Sequence, residues 1–338
     1  MKANDNMRPL LALTAGDPAG IGPEIVHAAL SDAHTSAAMR LVVLGPDSLR
    51  PARVPRIASD ADLGRIESAA WIDTGEHGGW KVGEAQLSGG RSALSSLRAG
   101  HELALARRVD ALVTAPVSKE ALHLAGEKVE GQTDLLGRWC GVERFEMMAL
   151  AGRLCVMLLT RHMPLRRALD QVTTERVLDR LDLLNSSLKR FGRARPKLAL
   201  AGLNPHAGEG GILGTEDESI LRPAVARARE QGIDVTGPLS PDTVFLSASR
   251  GAYDGVLALY HDQAFIPIKL LAADGGVTVI AGLPYLRVSP VHGTAFDIAG
   301  QGKADPANLM HALQRAAEWT QSTPAAQKQA HTPHASGE

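Results

Sequence analysis

Only two cysteines, Cys140 and Cys155, occur among 338 residues. Both stand in apolar surroundings, so no disulfide framework is available and a reduced, cytoplasmic protein is expected. Charge of one sign is missing too: 36 Lys and Arg face 37 Asp and Glu, a formal −1. No global field therefore selects nucleic acid or an anionic membrane, and the expected partners are a small anionic molecule and further copies of the chain. No apolar run approaches the roughly 20 residues that cross a bilayer. Residues 1–9 are short and polar, without the apolar core of a secretory signal, which weakens a periplasmic binding protein. The glycine-rich turn near residue 20 is neither a P-loop nor Gly-x-Gly-x-x-Gly, and no His-Glu-x-x-His announces zinc.

What is present is an alternation of short apolar runs with helical periods. Apolar runs at 10–14, 41–46, 110–115, 147–150, 156–160, 198–202 and 255–259 read as buried strands. Helices are expected over 89–108 and 174–190, the second with Val177, Leu181, Leu184 and Leu188 at helical spacing. Such βα alternation argues for parallel sheets with helices on both faces. Residues 48–83 carry little pattern, and the tail from about Thr320 lacks apolar periodicity and is expected to be disordered. The turn Gly16-Asp17-Pro18-Ala19-Gly20-Ile21-Gly22-Pro23 suits either a tight structural turn or a loop presenting N–H groups to an anion. Thr133 reads as an N-cap before a helix through Leu136 and Trp139, with ligand contacts from Gln132 and Thr133 as the alternative. Asp242 lies beside another helix start, where a cap is its ordinary role.

Three histidines share one syntax. His162, His206 and His261 each follow an apolar run within a few residues. A lone histidine is most often structural, but parallel strands bring their carboxyl ends to one edge, where ligand sites of α/β sheets lie. Imidazole is also the commonest metal ligand, so a three-histidine metal site is a candidate. The separations of 44 and 55 residues are no local signature. Ser118 and Lys119 stand at a further strand end and are additional candidates.

Several stretches resemble one family. Gly16-Asp17-Pro18-Ala19-Gly20-Ile21-Gly22-Pro23-Glu24, Thr114-Ala115-Pro116-Val117-Ser118-Lys119, Leu203-Asn204-Pro205-His206-Ala207-Gly208-Glu209, Gly214-Thr215-Glu216-Asp217, His261-Asp262-Gln263 and His292-Gly293-Thr294-Ala295-Phe296-Asp297 are similar to motifs of the 4-hydroxythreonine-4-phosphate dehydrogenase (PdxA) family. The resemblance covers about residues 9–315. It implies an isocitrate/isopropylmalate dehydrogenase-like fold: one α/β/α domain over 8–130 plus 280–318, a second over 131–279 carrying the metal ligands, and a cleft between them. A tail over 320–338 would lie outside both. It further implies a homodimer whose active site draws on both subunits. The activity implied is oxidation of a secondary alcohol by NAD or NADP with a divalent metal, giving a β-keto acid that decarboxylates. Carried over by motif, the metal ligands are His162, His206 and His261, and the substrate residues are Gln132, Thr133, Lys269, Thr278 and Arg287. Lys269, Asp242 and Asp262 are the candidate catalytic residues. Zinc suits three imidazoles best, with magnesium, cobalt, nickel or manganese as alternatives.

The chain departs from the family at the substrate. The usual Gly-His-Thr is Gly131-Gln132-Thr133, the usual Asn is Thr278, and the acid before His-Gly-Thr is Val291. Retained metal ligands with an altered pocket imply the same reaction on a changed substrate. The candidates are phosphorylated hydroxythreonine, a phosphorylated sugar acid like it, or the cis-dihydrodiol of an aromatic dicarboxylate such as terephthalate. Readings from other classes are a metal-dependent hydrolase, which would turn over without nicotinamide, and a silent small-molecule binder.

Overall fold

The computed structural model describes residues 8–75, 78–272 and 275–322. Its strands are β1 Leu10–Thr14, β2 Arg40–Gly45, β3 Ala69–Asp73, β4 Ala111–Thr114, β5 Glu146–Ala151, β6 Leu154–Leu158, β7 Leu198–Ala201, β8 Val235–Leu239, β9 Gly255–Ala258, β10 Gly276–Ala281 and β11 Arg287–Pro290. They form one sheet in the order β3-β2-β1-β4-β11-β10-β5-β6-β9-β7-β8. The α/β expectation holds. Parallel ladders join β3, β2, β1, β4 and β11 at one end, and β6, β9, β7 and β8 at the other.

The expectation of parallel sheets needs correction in the middle, where β11/β10, β10/β5 and β5/β6 are antiparallel. Only Gly152 and Arg153 link β5 to β6, and Gly152 takes a φ of 55°. A two-residue link makes a hairpin, whereas a parallel neighbour needs a crossover of about a dozen residues or more. Three reversals in a row leave the two parallel blocks running in opposite directions. β10 also spans residues 279 and 280, where the two expected domains meet.

Local chemistry explains most element ends. The helix Thr174–Arg190 is capped by Thr173, whose hydroxyl accepts from the Arg176 N–H, and it buries Val177, Leu181, Leu184 and Leu188 as its period predicts. The helix expected over 89–108 runs Leu87–Leu105 and stops before Arg107 turns left-handed at φ 55°. Thr133 is not a cap. Gly131 occupies that position at φ 153°, so the helix is Gln132–Trp139 and Thr133 is buried in its first turn. The helix Ala307–Ser322 takes in the first residues of the expected tail, and 323–338 lie outside the described residues. Cys155 is buried and Cys140 half-buried. Burial pushes both thiols up, Cys155 to about 12, which leaves neither a reactive thiolate at neutral pH. No described helix is long and apolar enough to cross a membrane.

One close approach fixes the helix that begins at Lys119. A Cβ at Gly90 would stand 2.0 Å from the carbonyl oxygen of Ala121. Gly90→Ala is therefore expected to destabilise the fold by about 2–3 kcal/mol, because backbone rather than a flexible side chain must yield. An unchanged urea midpoint would show that the two helices do not meet there.

Candidate active site

A cavity of about 560 Å³ is lined from both parallel blocks and from the antiparallel strands between them. On one side stands Arg287, the first residue of β11, 3% exposed. Its Nη2 donates to the Thr114 hydroxyl at 2.6 Å and to Gln132 Oε1 at 3.0 Å. Gln132 Nε2 in turn donates to the Ala115 carbonyl at 3.1 Å. Thr278 on β10 shares a 2.7 Å hydrogen bond with the Ser289 hydroxyl on β11, directly opposite in the ladder. Burial pushes the Arg287 guanidinium down to about 10, and it still carries its charge at neutral pH. Lys269, on the helix His261–Leu271, donates to the Val291 carbonyl at 2.8 Å.

The other side carries two of the histidines. β6 and β9 are parallel neighbours, so their carboxyl ends lie side by side. The Thr160 hydroxyl donates to the Leu259 carbonyl at 2.8 Å and locks the two ends together. Gln263 fixes the helix start by accepting from the Leu259 N–H at 2.7 Å and donating to the Gly202 carbonyl at 2.8 Å. The ring centroids of His162 and His261 are consequently 5.0 Å apart. His261 Nδ1 lies 2.7 Å from Asp262 Oδ1, which leaves Nε2 as the nitrogen available to a ligand. Burial, with Lys119, His261 and Arg161 close by, lowers the proton affinity of His162. A neutral imidazole is the form that binds metal.

His206 and Asp242 do not line this cavity. His206 sits after β7, the other parallel neighbour of β9, on the turn Pro205–Gly211. There His206, Ala207 and Glu209 all hold positive φ (53°, 53° and 44°). Asp217, fully buried, accepts from the N–H groups of Leu203 and Asn204 at 2.9 and 3.0 Å and so secures the base of that turn. His206 is exposed, beside the exposed Ile212 and Leu213. Asp242 accepts from Ser240 at 2.6 Å and lines a neighbouring apolar groove with Phe245, Ile266 and Leu270. Among the described residues no group of three or more His, Cys, Asp or Glu is arranged to hold a metal ion.

Sequence reasoning missed an ionic network at the cavity wall. Arg161 Nη1 pairs with Asp134 at 2.8 Å, and its Nε with the buried Glu146 at 3.2 Å. Asp134 belongs to the helix that carries Gln132, and Arg161 precedes His162, so the network ties the two sides of the cavity together. An arginine abutting a strand-end histidine was the available signal. The glycine turn near residue 20 resolves as a structural one. A Cβ at Gly16 would meet the Pro116 carbonyl at 2.5 Å, at Gly22 the Ala15 carbonyl at 2.5 Å, and at Gly20 the Thr294 side chain at 2.8 Å. Protein fills the space against these glycines.

Residues 26–316 match the family model described as pyridoxal phosphate biosynthetic protein PdxA. The chain belongs to the PdxA family. The resemblance read from the motifs is thereby borne out. A 4-hydroxythreonine-4-phosphate dehydrogenase of Geobacter metallireducens is 40% identical over 93% of this chain and 96% of its own length. A D-threonate 4-phosphate dehydrogenase of Salmonella typhimurium is 42% identical over 87% of this chain and 94% of its own. The crystal structure of 4-hydroxythreonine-4-phosphate dehydrogenase from Klebsiella pneumoniae superimposes with a TM-score of 0.82 at 38% identity, covering 92% of this chain and 99% of that one. A terephthalate 1,2-cis-dihydrodiol dehydrogenase from Burkholderia xenovorans is more distant, with a TM-score of 0.65 and 28% identity over 92% of this chain and 98% of its own.

Proposed function

We propose that this chain is a metal- and nicotinamide-dependent dehydrogenase that oxidises the secondary hydroxyl of a small phosphorylated hydroxy acid to a β-keto acid, which then decarboxylates. The substrate is of the 4-hydroxythreonine-4-phosphate or D-threonate 4-phosphate type. One observation carries the reading: a buried arginine with no acidic partner among the described residues faces a cavity whose other wall presents two imidazoles 5.0 Å apart. That arrangement suits an anion at one end of a substrate and a metal-bound oxygen function at the other.

The donor set fits a divalent metal in part. His162 and His261 supply two ligands, Asp262 orients the second, and a third imidazole is needed for a site open to substrate. His206 of the partner subunit is the proposed third, in a homodimer whose two sites are shared. Exposed Ile266, Leu270 and Leu271 on the helix His261–Leu271, with Leu246 nearby, offer an apolar face beside the site for a second copy. Zinc is the metal of first choice for three imidazoles. The hydride acceptor, NAD or NADP, is inferred from the dehydrogenase names of the relatives, and the free thiols suit a cytoplasmic enzyme.

Bound in place, the metal would acidify the substrate hydroxyl, whose proton would pass to solvent, and polarise the carbonyl that replaces it, and a nicotinamide would take the hydride. Arg287 holds the anionic end, and the Thr278–Ser289 hydroxyl pair offers hydrogen bonds beside it. Lys269, tethered to Val291, presents an ammonium that can return a proton to the carbon freed by decarboxylation. Asp262 steadies His261, while Asp242 lines the neighbouring groove that Asp262 also borders.

NADH formation with added zinc or magnesium tests the reading, with 4-hydroxythreonine-4-phosphate, D-threonate 4-phosphate and the terephthalate dihydrodiol offered side by side. Turnover of either phosphorylated acid is expected. Turnover of the dihydrodiol alone would replace the substrate class, and hydrolysis without nicotinamide would replace the reaction.

A further inference from the structure

We infer that Gln132 is a positioning residue that holds Arg287 in place while leaving its charge uncancelled, so that the anionic group of the ligand becomes the counter-ion. The inference rests on the dehydrogenase reading only for the identity of that ligand. Each end of the amide holds one protein neighbour: Oε1 accepts from Arg287 Nη2 at 3.0 Å, and Nε2 donates to the Ala115 carbonyl at 3.1 Å. An amide has one acceptor end and one donor end, and these two neighbours fix which is which. Thr114, the other acceptor for Nη2, is also neutral. No carboxylate pairs with Arg287 among the described residues, although the side chain is 3% exposed and its Nε–H is buried without an acceptor.

A buried guanidinium normally sits against a carboxylate, because an unpaired buried charge is strongly unfavourable. Here two neutral oxygens orient the fork and none neutralises it. An acid at 132 would make the same hydrogen bond and cancel the charge. The neutral amide therefore sets affinity for anions through Arg287, a role distinct from the direct substrate contact expected of Gln132. The group received is an anionic oxygen cluster, the chemistry shared by phosphate and carboxylate.

Full-length wild type, Gln132→Met and Gln132→Glu separate these roles. Two readouts are taken: the concentration of inorganic phosphate, and separately of malonate, that gives half the maximal rise in Tm, and KM for D-threonate 4-phosphate. Gln132→Met is expected to shift both by about threefold, since Arg287 loses one orienting acceptor but keeps its charge. Gln132→Glu is expected to weaken both about tenfold or more, since its carboxylate occupies the place of the ligand's charge. Should Gln132→Glu fail to fold, Thr114→Asp puts a carboxylate on the other partner of Nη2 and carries the same expectation. Equal losses in the Met and Glu variants would mean that Gln132 itself contacts the ligand and would overturn the inference, as would anion midpoints unmoved by the carboxylate. If no phosphorylated acid turns over in wild type but the anion midpoints keep this order, the dehydrogenase reading fails and the role of Gln132 stands.

Discussion

His261→Ala is expected to lose bound divalent metal and to lower kcat about a thousandfold, since a Lewis acid contributes several kcal/mol and each 1.4 kcal/mol is about tenfold. The fold should survive. The β6 and β9 ends are held by Thr160, and the helix start by Gln263, with no part played by the imidazole, which stacks on Phe265 at 4.7 Å. Metal content of the purified protein, its circular dichroism and its NADH formation are the three measurements, and a variant retaining stoichiometric metal would remove His261 from the site. Asp262→Asn is expected to be milder, about 10–100-fold, because it only orients the ring. His206→Ala should match His261→Ala if His206 of the partner subunit completes the site. In that case, mixing the two inactive dimers regenerates one intact site in each heterodimer. Statistical exchange would then restore about a quarter of wild-type activity. No recovery on exchange would place all three imidazoles in one subunit or exclude His206.

Local hydrophobic runs mark the strands that precede the three histidines. The apolar runs before His162, His206 and His261 are β6, β7 and β9, and these are parallel neighbours with their carboxyl ends side by side. Proximity of His162 and His261 follows from that order. His206 shows the limit of the method. A run of positive φ over residues 206–210 carries it away on a turn of its own, and backbone conformation at non-glycine residues leaves no mark in hydrophobic periodicity. Strain of this kind persists only where surrounding structure imposes it, and it gathers at functional sites, so the turn itself points to a task for His206.

The substrate side was less legible. β10 and β11 were overlooked because each is a short run enclosed by Gly and Pro, yet they carry Thr278, Arg287 and Ser289. Their antiparallel pairing brings Thr278 opposite Ser289, a contact that strand periodicity alone does not disclose. Gln132 and Arg287 are 155 residues apart, and their hydrogen bond depends on β11 lying beside β4. The motif resemblance located both residues and assigned Gln132 to the ligand, but not to the hydrogen bonds its amide makes with Arg287 and Ala115. Arg161 escaped notice because ion pairs to Asp134 and Glu146 join three separate elements.

Arg287→Met is expected to raise KM for an anionic substrate about 10²–10³-fold with a smaller change in kcat, the loss of a desolvated charge pair being about 2–5 kcal/mol. Stability should change little. Burial holds the guanidinium down to about 10 against an ordinary 12.5, so at neutral pH the charged form is disfavoured in the fold and methionine removes that penalty. Against this stand the lost donors to Thr114 and Gln132, each about 1 kcal/mol. Arg287→Lys distinguishes charge from shape. A lysine begins at about 10.4, and the same burial lowers it further, towards neutrality near the working pH. Its kcat/KM is therefore expected to rise as the pH is lowered through that depressed pKa, where the amine gains its proton, while wild type stays charged throughout the window. A pH profile of the lysine variant that runs parallel to wild type would mean that the residue acts through geometry alone. A methionine variant with unchanged KM would mean that the anion is held elsewhere in the cavity, where Lys269, Lys119 and Arg161 also present cations.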